Sequence, residues 1–242
     1  MAQTNDTNIV AGVSLGMPVL TLLMALGNIF AQGGASLVSR LLGQNDRQAI
    51  RRASSFCFYI TIFTGIVIAI VMLVFRVPVL YVIGTSEETF SHASDYYTYL
   101  AIGAPVTMLS FIHSNLLRSE GMSKESMIGT VLGALVNIVL DPIFISAIGW
   151  GAAGAAIATV IGYLCSDVYF MVIVAKKSNI LSINPKEIRI PAKHVRQILI
   201  VGIPAAITNL MQSAGVVMMN QFLLPFGNDK IAAMGIVLKV SM

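Results

Sequence analysis

The chain has 242 residues, 56% hydrophobic and 11% charged, with a formal net charge of +4. Soluble domains carry about 25% charged residues, so a water-soluble catalytic or nucleic-acid-binding domain is excluded by composition. A mean hydropathy of +0.82 points instead to an all-α polytopic membrane protein. The two cysteines, Cys57 and Cys165, lie inside apolar runs without metal-type spacing and read as packing residues.

The first eight residues, MAQTNDTN, have neither a basic n-region nor a following small-residue cleavage site, so they do not read as a secretory leader. Hydropathy then places spans at 9–31, 53–75, 96–117, 126–148, 152–174 and 197–224, with a seventh beginning near 231. Each complete span has the ~20 residues that a bilayer core requires.

The connecting loops alternate in charge. Arg40, Arg47, Arg51 and Arg52, then Arg118 and Lys124, then Lys176, Lys177, Lys186, Arg189, Lys193 and Arg196 fall on one side; Arg76 and Lys230 fall on the other. The positive-inside rule assigns the first set to the cytoplasm of a cell inner membrane and places residue 1 on the outer side. The basic excess therefore reports topology and not a polyanionic partner.

An outer amino terminus without a leader predicts that an upstream helix precedes this sequence. A faint repeat agrees: Asn5-Asp6, Gly12 and Leu15 recur as Asn228-Asp229, Gly235 and Leu238, the pattern expected of two parallel six-helix halves. On this reading 1–175 forms an amino-terminal lobe, 176–196 a solvated amphipathic linker, and 197–242 the start of a second lobe. Anionic lipid is a conceivable ligand of the basic linker.

The stretch 129–159 is the most informative. Gly129, Gly133, Asn137 and Asp141 recur every four residues, forming one stripe along a helix. The glycines admit a close neighbour, and Asn137 and Asp141 then face it. A turn near Gly149 folds the next helix back, so Thr159 is expected at the depth of Asn137 and Asp141. A carboxylate, an amide oxygen and a hydroxyl together suit H⁺ or Na⁺. A mid-membrane Asp costs about 2.5–3.5 kcal/mol on insertion scales, so it points to function; the plainer alternative is an Asp that only holds the hairpin together. Pro142 beside it is expected to bend the helix, and Pro105 and Pro204 are further candidate kinks.

The runs GGASLVSRLLGQND (33–46), LLRSEGMSKESMIGTVLGALVNIVLDPIFI (116–145) and GWGAAGAAIATVIG (149–162) resemble the multidrug and toxic compound extrusion (MATE) family, in its bacterial branch with an N-lobe cation site. The resemblance implies a fragment of a twelve-helix, two-lobe transporter, covering the second helix to the start of the eighth. It implies export of cationic or amphipathic compounds by alternating access, coupled to H⁺ or Na⁺, with no other cofactor, no enzymatic activity, and a monomeric full-length protein in contact with lipid. Asn137, Asp141 and Thr159 occupy the places of the family's cation site, and would be metal ligands only if the coupling ion is Na⁺. The family's first-helix Asp has no position here. Where another branch carries a Glu on the seventh helix, this chain has Gln212.

Other candidates are read against plainer roles. Asn209, Met211, Gln212 and Asn220 could line a substrate cavity, or serve as interhelical glue and ordinary packing. For His113 a pH-sensing or relay role stands against the favoured reading of a buried His bonded to backbone; Asp167 is expected to pair with an Arg such as Arg118, the alternative being a place in the inner vestibule; and Glu120 is expected to sit in a solvated charged turn. A lipid-linked saccharide flippase is disfavoured because the spans hold almost no Lys or Arg. An intramembrane hydrolase lacks a second carboxylate or a Ser–His pair at the depth of Asp141. A purely structural membrane protein needs no clustering of Asn137, Asp141 and Thr159.

Overall fold

A computed structural model describes residues 7–241, which form helices and connecting turns with no β-strand among them. In order these are α1 (Thr7–Leu15), α2 (Met17–Gly43), α3 (Arg47–Val74), α4 (Arg76–Ile83), α5 (Glu87–Ile102), α6 (Ala104–Ser119), α7 (Ser123–Pro142), α8 (Gly151–Lys177), α9 (Ala192–Leu223) and α10 (Asn228–Ser241). Five helical stretches among the described residues are long and apolar enough to cross a bilayer, and a sixth results if α5 and α6 form one bent span. The six complete spans predicted above are thereby matched.

The departures from the predicted boundaries have local causes. The first apolar run breaks at Gly16, with Pro18 in the first turn of α2, and then continues to Gly43. Arg40 therefore lies in the last helical turn and not in a loop. The predicted third span bends by 55° between α5 and α6. Gly103 sits at the joint, and Pro105 follows in the first turn of α6, where a missing N–H is tolerated. Pro142 ends α7 and a π-helical turn, Ile143–Ala147, follows. Pro204 lies inside α9 without interrupting it.

Of the faint repeat, Asn5 and Asp6 lie outside the described residues, as does Met1. The remaining copies meet in space: α1 packs along α10, with Gly235 set directly against the Ser14 side chain. The most extensive packing joins α2 to α9. There Gly33 abuts the Ile198 carbonyl and Gly202 abuts the Ile29 carbonyl, so each glycine lies under the partner's backbone.

Two apolar cores fill the bundle. One gathers α1, α2, α5 and the start of α8 around Leu23, Tyr97 and Leu100. The other, at the end where Lys and Arg collect, gathers α2, α3, α6, α9 and the end of α8 around Leu37, Ile112 and Phe170.

The segment between α8 and α9 is not the solvated connector expected of its composition. Leu181 and Ser182 are buried. Ser54 Oγ accepts from the Ser182 amide at 2.9 Å, Ser55 Oγ donates to the Ser182 carbonyl at 2.9 Å, and the Tyr59 hydroxyl donates to the Ile183 carbonyl at 3.0 Å. Ser54→Ala leaves the buried Ser182 N–H without its acceptor, at a cost of about 1–3 kcal/mol. Limited trypsin digestion of the purified protein should then cut faster at Lys186 and Arg189.

Arg51 Nε closes the clasp on Glu187 at 3.0 Å. Hydrogen bonds from Ser182 and Arg51 hold the Glu187 carboxyl below its ordinary value of 4.5. A lowered carboxylate stabilises the docked state at pH above 4.5 and loses that contribution as pH falls through the lowered value. A nitroxide at exposed Lys186 is expected to stay immobile above pH 4.5 and to loosen only below it.

The charged turn at Glu120 also differs from expectation. Glu120 accepts from Ser178 Oγ at 2.9 Å, its other oxygen is buried, and desolvation raises its pKa.

Candidate cation-coupling site

The α7–α8 hairpin is built around its turn. Gly149 and Gly151 have φ of +80° and +53°, in the left-handed region that a side chain strains to enter. The returning helix packs closely because the crossing is made of glycine: a Cβ placed on Gly162 would lie 2.7 Å from the Gly133 carbonyl oxygen. One turn further, Ser166 Oγ donates to the Gly129 carbonyl at 2.9 Å. The opposite face of α7, with Leu135, Ile138 and Val139, is exposed as a lipid-facing surface would be.

Close packing brings the three predicted residues together. Asn137 Nδ2 donates to Asp141 Oδ1 at 3.3 Å and to Thr159 Oγ1 at 3.4 Å, while the Thr159 hydroxyl donates to the Ala155 carbonyl at 2.8 Å. All three side chains are part-buried. One detail differs from the predicted set of oxygen donors: the amide presents its NH₂ group, not its oxygen, to both neighbours. That arrangement anchors a carboxylate, a group able to take up and release a proton. Direct coordination of Na⁺ by the amide requires the group to be turned over.

A cavity of about 430 Å³ runs from this cluster toward the basic end, with Asn137, Thr159, Tyr96, Tyr163, Ser166 and Arg118 among its lining residues. Asp141 adjoins it through Asn137. Tyr96 is a site residue that sequence reasoning did not single out; its hydroxyl approaches Thr159. The predicted third span begins only at residue 96, whereas α5 starts at Glu87 and turns by 55° into α6, so the face on which Tyr96 lies was not fixed by the sequence.

The proposed substrate residues of α9 do not join this site. Met211 and Gln212 are exposed, Asn209 donates back to the Ala205 carbonyl at 3.3 Å, and Asn220 is buried, its amide nitrogen without a hydrogen bond from the described residues. Arg118 does not pair with Asp167, since its Nε donates to Ser126 Oγ at 3.0 Å. His113 is buried as expected but bonds no backbone group, and it faces Asp167.

The MatE family model matches residues 1–143, more than half of the chain. The chain belongs to the MatE family. Among curated relatives, it is 32% identical over 231 residues to the multidrug export protein MepA of Staphylococcus aureus, covering 96% of this chain and 51% of that protein. The chain thus spans about half the length of the curated relatives it matches. Among solved MATE structures, the inward-facing conformation of a multidrug resistance transporter of the MOP superfamily superposes with a TM-score of 0.91 at 26% identity, covering 98% of this chain and 54% of that one. The outward-facing conformation of a MATE transporter of that superfamily gives 0.83 at 26% identity, over 96% and 52%. The helical membrane lobe predicted from sequence is therefore the MatE fold, and the protein is multi-pass.

Proposed function

We propose that this MatE chain supplies the amino-terminal lobe (1–175), the inter-lobe linker (176–196) and the start of the second lobe (197–242) of an exporter of cationic or amphipathic compounds. Transport is by alternating access and is coupled to inward movement of H⁺, with the basic end of the bundle in the cytoplasm. The observation that carries this reading is the Asn137–Asp141–Thr159 cluster, held between two spans of a fold whose relatives are named for multidrug export.

The mechanism follows from charge. When the lobe is open outward, Asp141 takes a proton and the local charge disappears. Neutralisation removes the cost of holding a carboxylate in a low-dielectric site. It also weakens the charge-assisted bond from Asn137, which frees α7 to repack at the Pro142 break. The π-turn after Pro142 is a natural place for that repacking, since such turns hold a loosened hydrogen-bond ladder. A shift at this hairpin alters the adjoining cavity, and substrate affinity changes with it. Na⁺ is the alternative coupling ion and would need Asn137 to present its oxygen.

Purified full-length protein in proteoliposomes tests this. An imposed pH gradient should drive uphill movement of a fluorescent organic cation, and dissipating it should stop that movement. Accumulation that persists with both H⁺ and Na⁺ gradients collapsed sinks the coupled reading.

A further inference from the structure

On the side of α6 and α8 away from the cavity, His113 Nδ1 and Asp167 Oδ1 approach to 3.5 Å, with side chains only 3% and 2% exposed. The contact is at ion-pair distance but lacks hydrogen-bond geometry. Both imidazole nitrogens and both carboxylate oxygens are without a hydrogen bond from the described residues. Their sequence neighbours Ser114 and Ser166 face the cavity, so the pair lies outside the coupling site. Along α8, Asp167 stands eight residues from Thr159, about 12 Å nearer the basic end.

Among the described residues, His113 is the ionisable group that acts on Asp167. The imidazole lies between the rings of Phe58 and Phe170, at centroid distances of 5.4 and 6.3 Å. The enclosing core draws apolar residues from α2, α3, α6, α8, α9 and the 178–191 segment, with the Cys57 thiol and the part-buried Tyr169 as its further ionisable members. From α7 the neighbours are uncharged Gly129 and Ser126, the first against Phe170 and the second against Ser114. Nearby charges are engaged elsewhere: Arg118 on Ser126, Arg51 on Glu187 and Lys177 on Glu125. His113 also shares a small cavity with Leu181, Ser182 and Ile183, where the 178–191 segment docks.

A neutral imidazole beside an ionised carboxylate leaves one uncompensated charge in this core, and two bound protons leave one of the opposite sign. A single proton shared by the pair makes it net neutral, the state that low-dielectric burial favours. We propose that His113 and Asp167 form a proton-binding site of their own, separate from the Asp141 cluster, beneath the docked 178–191 segment. The ligand is one H⁺, taken from water at the basic end onto either His113 Nδ1 or an Asp167 oxygen. No other bond forms or breaks.

The pair takes up its proton whether or not Asp141 couples transport, and its test is made with that carboxylate removed. Full-length Asp141→Asn protein in lipid is titrated by infrared difference spectroscopy. The expected result is a step in which imidazole and carboxylate bands change together, and which Asp167→Asn deletes. In His113→Gln, a neutral side chain of similar reach, the carboxyl band should remain but shift its midpoint by about one pH unit or more. An Asp167→Asn spectrum that superimposes on its parent overturns the proposal. A carboxyl midpoint unmoved by His113→Gln overturns it as well, and that variant keeps the test decisive if Asp167→Asn does not fold.

Discussion

Asp141→Asn in the full-length protein is expected to reach the membrane at wild-type level yet fail to accumulate substrate against a gradient. The substitution is nearly isosteric. An amide at 141 can still accept from Asn137 Nδ2, now at 3.3 Å from Asp141 Oδ1, so hairpin packing is retained and stability should change by about 1 kcal/mol or less. What it cannot do is alternate between charged and neutral forms. Gradient-driven uptake should fall to that of protein-free vesicles, while binding of the organic cation, measured at equilibrium, survives. Thr159→Val is expected to be milder, because Asn137 and Asp141 keep their mutual bond. Wild-type accumulation by Asp141→Asn would remove the coupling role.

The cluster was legible because two periodicities coincide there. Four-residue spacing puts Asn137 and Asp141 on one stripe with Gly129 and Gly133, and the Gly149 turn fixes where the stripe on α8 begins. Depth then follows by counting, so a contact between residues 137 and 159 needs no tertiary knowledge beyond one hairpin. The orientation of the Asn137 amide was not legible, since both ends of an amide satisfy the same spacing and only the surrounding acceptors choose between them.

Where reading failed, the missing information was tertiary. Asp167 has no charged neighbour along the chain nearer than Lys176, and a basic residue was the natural partner to assign it. The nearest candidate, Arg118, lies beyond His113 on α6 and is engaged by Ser126. The rotation of α6 relative to α8, which decides between these partners, depends on the 55° bend at Gly103. Pro105 hinted at a bend but not at its size. The docked 178–191 segment had a signal that was outweighed: Ile180, Leu181, Ile183, Ile188 and Ile190 are apolar within a basic, proline-containing stretch. Five such residues are too many for a connector lying in water, and Leu181 is buried.

The same geometry makes Gly162 a more severe position than any polar residue of the site. A Cβ there would meet the Gly133 carbonyl oxygen at 2.7 Å and the Asn137 Cβ at 3.3 Å. The first contact is backbone and cannot rotate away, so a side chain must separate α7 from α8. Gly162→Leu is therefore expected to cost about 1–3 kcal/mol by overpacking, visible as lower thermal stability of the purified full-length protein. Separation also lengthens the 3.4 Å contact between Asn137 and Thr159, so coupled transport should be lost as in Asp141→Asn although every coupling side chain is present. Gly162→Ala introduces the clash without the bulk and should fall between wild type and Gly162→Leu in both measurements. If Gly162→Leu transports normally, close approach of the two spans is not what positions the carboxylate. The cluster would then owe its geometry to α7 alone, where four-residue spacing already sets Asn137 beside Asp141.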